Sequence, residues 1–525
     1  MYRLATTGLL GLAALAGTVS LEVSGATPRL VVGIVVDQLR TDQIDQLQSL
    51  FGEKGFKVLM RDGAYLRDVD FKTPGLDASS GTAAVMTGSW PAYTGVPTAL
   101  VFDPESQTMR PPLARPMSNG SISNDSFTPE GLRLSTIADE LAIASDGKAV
   151  IYSVAADPQQ AVILAGHAAT NAVWLNNTSG LWATSSYYGL LNNATKRVNS
   201  RTAPAHQIDT VKWRPLPATA RLCTNLAKGP AFDYKFSSRD RDAYRKFGLS
   251  PAGNRAVTDM AVELISQMPA DPAAQGMINV AYTVAPYKYS LGTGTVESTD
   301  ACIRLDAQIG RLIEAVDKYC GKENALIWLT STGYYDATAT EDKRFRIPGG
   351  EFSVRRARSL LNSYLVARHG IGDYIASIRN GNVYLDSKSI EARNLDPVAI
   401  ADEARQFLAQ MSGVEQTFTR REILSPSSPE TDALNLGYDP KHGGDVIIRL
   451  APGWSVVDED APVASHQKPV RQMPVMTPAF IMTPGIPAQK IDTPVEAAAL
   501  APTLTDILRI RSPNGTRARS IPLQK

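Results

Sequence analysis

The stretch RLVVGIVVDQLRTD, residues 29–42, constrains the fold more than any other. Apolar or small residues run unbroken from Val31 to Val36 and stop at Asp37. A continuous run rich in β-branched side chains, with no polar alternation, reads as a strand covered on both faces. Such strands belong to the parallel sheets of α/β folds. In those folds ligands bind at the carboxyl ends of the strands. Asp37 therefore marks the end of the sheet where function is expected.

The rest of the chain repeats the pattern. Residues 51–70 read as a helix, a Gly63 turn and a strand, and a short helix is expected to begin near Ser79 or Ser80. Strands are predicted at 148–156, 277–285, 325–332, 443–454 and 478–486, and helices at 253–268 and 499–510. In 300–319 the residues Leu305, Ile309, Leu312 and Val316 form one helical stripe. Residues 171–188 read as a hairpin turning at Ser179-Gly180. Alternation of strands and helices predicts an α/β three-layer sandwich with a central, mostly parallel sheet. Residues 97–250 interrupt the alternation and are expected to form an inserted cap, so that 27–525 is one large domain with an insertion.

The amino terminus has a different character. Arg3 precedes an apolar run from Leu9 to Ala16, and small residues end at Ser24-Gly25-Ala26. This is the layout of a signal peptide over 1–26, cleaved near Ala26. The run is too short to span a bilayer comfortably, and no later segment is apolar enough to do so. The mature protein is expected to be periplasmic or secreted. A net charge of +1 and the absence of any basic tract interleaved with aromatics exclude nucleic acid as a partner. Cys223, Cys302 and Cys320 show no metal-knuckle spacing and read as thiols. Five histidines, His167, His206, His369, His442 and His466, are few for a metalloenzyme of 525 residues.

Taken in order, the segments LVVGIVVDQLRTD, EKGFKVLMRDGA, MTGSWPAYTGV, PAGNRAVTDMAVELI, ESTDACIRLDAQIGRLIEAVD, IWLTSTG, GYDPKHGGDVIIRLAPGW and FIMTPGI resemble the alkaline phosphatase superfamily. The likeness is to phosphate-irrepressible alkaline phosphatases related to type I phosphodiesterases and nucleotide pyrophosphatases. It covers nearly all of the mature chain. It implies an exported hydrolase of phosphate esters that works with two zinc ions, one activating a threonine or serine alkoxide and one stabilising the leaving oxygen.

Carried over position by position, the resemblance implies a degenerate site. Asp37 falls at the first metal-ligand aspartate. The nucleophile position is Ala78, which has no hydroxyl, unless the register shifts to Ser79; the motif histidine becomes Thr82. A metal-binding Asp and His pair becomes Ala285 and Tyr289, and a second Asp-His pair becomes Thr332 and Gly333. His466 lies within one position of the last histidine. The phosphate-binding Asn maps near Ala99, and the Lys and Arg map near Asp157 and Gln159, where a carboxylate repels phosphate. Of seven metal or nucleophile positions only Asp37 and His466 survive. No histidine exists between His206 and His369, whatever the alignment. Zinc prefers nitrogen and sulfur donors in tetrahedral geometry, so no cofactor is predicted.

Three functions follow. The first is a pseudoenzyme that binds a protein or small-ligand partner. The second is a divergent phosphomonoesterase or phosphodiesterase with an altered metal site at Asp37 and Ser79. The third is a glycan-binding module whose cleft is lined by Trp90, Tyr289, Tyr334 and Tyr335. For single residues the plainer readings are a helix cap or surface hydrogen bond for Asp37, a framework position for His167, and turn or loop positions for His442 and His466. The amides of Ser79, Ser80 and Gly81 read as a helix N-terminus able to hold an anion.

Overall fold

In the computed structural model, the described residues are 27–103, 105–106, 108–115, 126–223, 232–287, 294–335, 349–459, 467–469 and 475–524. The expected first strand, β1, spans Leu30–Asp37 and every one of its residues is buried. Leu30, Val32, Ile34 and Val36 point into one hydrophobic cluster, and Val31 and Val35 into another on the opposite face. Each such side chain contributes about 1.5–3 kcal/mol on burial, so burial on both faces fixes β1 at the centre of the sheet.

The other strands of the sheet are β2 (Ala64–Asp70), β3 (Val150–Ala155), β4 (Asn171–Leu175), β5 (Trp182–Ala183), β6 (Gly276–Thr283), β7 (Ala325–Ser331), β8 (Thr477–Met482) and β9 (Gln489–Ile491). Their order is β9-β2-β8-β7-β1-β6-β3-β4-β5, with Val495–Glu496 also paired to β2. Pairing is parallel from β7 through β1, β6 and β3 to β4. Strand β8 runs against both of its neighbours, and β5 against β4.

Helices cover both faces, as a three-layer α/β sandwich requires. One face carries α1 (Thr41–Leu47), α2 (Phe56–Asp62), α6 (Pro251–Ile265) and α7 (Gly294–Cys320). The predicted stripe of α7 is buried here, Leu305, Ile309, Leu312 and Val316 being at most 1% exposed. The other face carries α3 (Ala78–Thr87), α4 (Ile137–Ala144), α5 (Pro158–Ala165) and α8 (Leu500–Leu508). Cys302 and Cys320 are free thiols.

The structure corrects the expected insertion. Residues 97–250 are not a cap set apart, because β3, α5, β4 and β5 lie within them and belong to the central sheet and its cover. A separate core is found instead between Phe352 and Trp454. There a four-stranded antiparallel sheet orders Ile375–Arg379, Asn382–Leu385, Val446–Leu450 and Val414–Thr419, and helices Val354–His369 and Pro397–Leu408 pack on it. The predicted late strand in 443–454 is therefore Val446–Leu450 of this small domain, not a strand of the central sheet.

Candidate functional site at the carboxyl end of the sheet

Sheet register sets the first side chains of the site. Asp37 stands opposite Thr283, and Val36 opposite Ser331, so Thr332 is the next residue out on the neighbouring strand. Three strand ends thus meet at Asp37. Its carboxylate is buried, 7% exposed. Thr332 Oγ1 donates to Asp37 Oδ1 at 3.0 Å, and Thr283 Oγ1 to Oδ2 at 3.4 Å. The Thr332 hydroxyl also accepts from the Gln38 amide at 3.1 Å. Gln38 has φ +63°, left-handed backbone uncommon for a side chain of its size. Asp37 is neither a helix cap nor a surface group: α1 begins at Thr41 behind Arg40, with no side-chain cap.

Two glycines let the elements close around this point. A Cβ on Gly81, in α3, would lie 2.1 Å from the Thr332 carbonyl oxygen. The helix backbone therefore rests directly on the end of β7. Gly333 has φ +82°, and a Cβ there would lie 2.3 Å from the Phe71 ring. Beyond it, Tyr334 Oη accepts from Gln38 Nε2 at 3.4 Å, and Arg40 stacks 3.8 Å from the Tyr335 ring centre. Tyr335 is only 3% exposed, so it is not offered for stacking on a sugar. Trp90 is half-buried at the start of the short helix Pro91–Thr94.

Helix α3 brings in the nucleophile position. Ala78 is its first residue and is half-buried, whereas Ser79 is turned inward at 2% exposed. Thr82 is spent on the helix itself, its hydroxyl donating to the Ala78 carbonyl at 2.6 Å. Two of the three N-terminal amides are already engaged, that of Gly81 by the Asp77 carbonyl at 2.9 Å and that of Ser80 by the Asp77 side chain. Asp77 caps them, Oδ1 accepting from the Ser80 amide at 2.9 Å and from Ser80 Oγ at 3.0 Å. Its Oδ2 accepts from the Ala99 amide at 2.6 Å. The neighbouring helix is closed in the same way, with Asp157 Oδ1 accepting from the Gln160 amide at 3.0 Å. Asp157 exposes surface yet is densely surrounded by protein. That crowding pushes its carboxyl up, the amides of Gln160 and Gln159 oppose the shift, and the Asp77 charge adds to it. Gln159 is buried; its Nε2 donates to the Ala99 carbonyl at 2.9 Å, and its Oε1 has no partner. The three positions where phosphate-binding groups were sought thus present a backbone, a carboxylate and a buried amide.

The remaining expected residues lie elsewhere. Ala285 follows β6, its amide donating to Thr283 Oγ1 at 3.1 Å. Tyr289 and His466 fall outside the described residues. His167 bonds Asp139 and Leu132, His206 bonds the Asn199 carbonyl, His369 bonds Glu403, and His442 bonds Asp439. A cavity of about 570 Å³ opens beside Asp62, Lys322 and the Met482–Pro487 turn. Lys322 precedes β7 and Met482 ends the reversed β8, so this cavity lies at the amino ends of the parallel strands, away from Asp37.

Comparison with known proteins decides the lineage. The sequence profile of the type I phosphodiesterase / nucleotide pyrophosphatase family matches residues 31–473. The chain belongs to that family. Among relatives, the alkaline phosphatase PafA of Elizabethkingia meningoseptica is 26% identical over 98% of each chain. Alkaline phosphatase PhoV of Synechococcus elongatus is 25% identical, over 94% of this chain and 92% of its own. The crystal structure of PafA superposes with a TM-score of 0.83 at 24% identity, covering 94% of this chain and 98% of that one, a likeness of fold.

Among its described residues, this member of the type I phosphodiesterase / nucleotide pyrophosphatase family presents no set of side chains at the end of the sheet that fits two zinc ions. Thr332 supplies a neutral hydroxyl already given to Asp37, and Ala285 supplies nothing. A side chain in place of Gly333 would collide with Phe71. Among the described residues no three His, Cys, Asp or Glu side chains converge to hold a metal ion. Only the first strand, β1, and its terminal Asp37 were readable as site residues from local pattern. The resemblance placed Thr332 in the same site as Asp37, 295 positions away; Thr283, 246 positions from Asp37, was missed because nothing in the sequence joins it to the other two.

Proposed function

We propose that this chain is an exported phosphatase-like protein that has lost zinc-dependent phosphoester hydrolysis and acts by binding a protein or small-ligand partner. The observation that carries the reading is the end of β7. Thr332 holds the Asp37 carboxylate through a hydroxyl, and Gly333 is pressed on Phe71 with left-handed backbone. Neither position can return to a ligand without rebuilding the loop. Ala78 removes the nucleophile from the head of α3, and Asp77 and Asp157 set negative charge where a phosphate would need donors. Export rests on the signal-like segment 1–26, and no described helix is long and apolar enough to cross a membrane.

The test is metal content and turnover on the same sample. The mature chain, purified with zinc present and then desalted, is expected to retain far less than one zinc per chain and to leave phosphomonoesters and phosphodiesters intact. Two bound zinc ions with turnover of either substrate would overturn the proposal in favour of a divergent hydrolase.

A further inference from the structure

We propose that the His167 imidazolium is a pH-released latch that ties the loop 129–133, and through it the cleft-side segment 94–99, to helices α4 and α5. His167 follows α5 directly. Its Nδ1 lies 3.0 Å from Asp139 Oδ2 and its Nε2 lies 3.0 Å from the Leu132 carbonyl oxygen. Both partners accept only, so both ring nitrogens must carry protons for both bonds to form. A neutral ring can keep one of them.

The surroundings decide which bond fails. Asp139 is 4% exposed and is fixed by four further donors: the amides of His167 (2.6 Å), Ala168 (2.9 Å) and Thr136 (2.8 Å), and the Thr136 hydroxyl (3.0 Å). It cannot turn away. The neutral ring therefore keeps its Nδ1 proton toward Asp139 and presents a lone pair to the Leu132 carbonyl, which repels it. Among the described residues, Tyr187 donates its hydroxyl to the His167 carbonyl at 3.0 Å, and Glu130, on the loop that the ring holds, is paired with Arg115. Glu140, next to Asp139, is buried against Arg511. The Asp139 hydrogen bond raises the His167 pKa, burial opposes it, and the Asp139 charge adds to the rise. A raised folded value means that the latch is fully closed below the unfolded histidine pKa of about 6.5. It opens as pH climbs through the folded value.

What the latch holds reaches the cleft. The Arg133 amide donates to the Thr94 carbonyl at 2.9 Å. The Gly131 carbonyl fills the space where a Cβ on Gly95 would sit, at 2.1 Å. Four residues on, Ala99 supplies the amide that binds Asp77 and the carbonyl that binds Gln159. On its outer side Arg133 reaches Asp439 of the small domain at 3.0 Å, which also accepts from His442 Nδ1 at 2.9 Å. Losing the Leu132 contact loosens a loop that touches both.

The test uses the full chain, whose five histidines make imidazole NMR tractable. The His167 resonances are expected to show two ring protons at about pH 6 and to titrate above 6.5. Amide-exchange protection at Leu132, Arg133 and Ala99, corrected for intrinsic rates, is expected to fall about tenfold or more by about pH 9, with the same midpoint. Asp139→Asn should move both midpoints down together. His167→Gln should make the protection independent of pH. A singly protonated ring at about pH 6, or protection that stays level or falls with a midpoint unrelated to that of His167, would overturn the latch. Should both variants fail to fold, coincidence of the two midpoints in the wild-type chain still decides.

Discussion

Gly81 and Thr332 meet backbone to backbone, and that contact sets the position of Ala78 at the cleft. Since the obstruction to a Cβ on Gly81 is a carbonyl oxygen at 2.1 Å, it cannot swing aside as a flexible side chain would. Gly81→Ala is expected to lower stability by about 1–3 kcal/mol or more, read as a drop in the urea midpoint; an unchanged midpoint would mean that α3 shifts freely. Thr332→Val tests the neighbouring hydroxyl, which serves Asp37 and the Gln38 amide at once. Its loss removes a donor from a buried carboxylate and the hydroxyl acceptor of the Gln38 amide, and should cost about 2–3 kcal/mol. Thr283→Val, which gives up a 3.4 Å bond to the same carboxylate, should cost less than about 1 kcal/mol. Equal costs would show that Thr332 has no special hold on Asp37. At this scale the sequence made Asp37 conspicuous because a polar residue ends an apolar run. It marked Thr332 only through the family resemblance and gave no sign of Thr283, because a lone Thr at a strand end is ordinary.

Between helix and loop, α7 does more than cover the sheet. Asp300 is fully buried and accepts from Trp213 Nε1 (2.7 Å), the Leu216 amide (2.6 Å), Thr219 Oγ1 (2.8 Å) and Arg304 Nε (2.7 Å). One turn earlier Glu297 accepts from Tyr234 Oη and, at 2.5 Å, from the Tyr287 amide. Around these bonds Trp213, Phe232, Tyr234 and Tyr287 pack ring on ring. The segments that carry Trp213, Leu216, Thr219 and Tyr234, between β5 and α6, are thereby pinned to α7 by two carboxylates. Asp300→Ala would leave three neutral donors and an arginine without their acceptor, at a cost of about 3 kcal/mol. It is expected to make 212–236 the first site of limited proteolysis; resistance equal to wild type would refute the anchoring role. The sequence revealed the apolar stripe of α7, which repeats every three or four residues. Asp300 and Glu297 are not among the stripe residues, and no local pattern marks them as buried. Their partners lie 63 to 87 positions away, apart from Tyr287 and Arg304.

Across the whole molecule, the central sheet was readable because its strands are continuous apolar runs, as parallel strands buried on both faces must be. The small domain was not. Its strands alternate: Val446–Leu450, within the one segment of it that was predicted as a strand, has three buried residues in five with half-buried ones between, and Ile375–Arg379 carries two buried positions in five. Such segments look like loops until their partners are known. The same contrast bears on metal dependence. The three hydrophobic clusters hold the fold through aliphatic and aromatic side chains, and the strand ends around Asp37 are joined by hydroxyls and amides. A protein whose strand ends were bridged by metal would lose that binding free energy to a chelator: about 2.7 kcal/mol even for an ion present at only 100 times its Kd. Here a strong chelator such as EDTA is expected to leave the melting temperature within about 1 °C of its starting value, because among the described residues the strand ends at Asp37 are joined by hydroxyls and amides. Calorimetry with and without chelator checks this directly. A fall of several degrees, reversed by adding zinc, would place a metal among the groups that hold the carboxyl end of the sheet together. It would also return the cleft to the hydrolases.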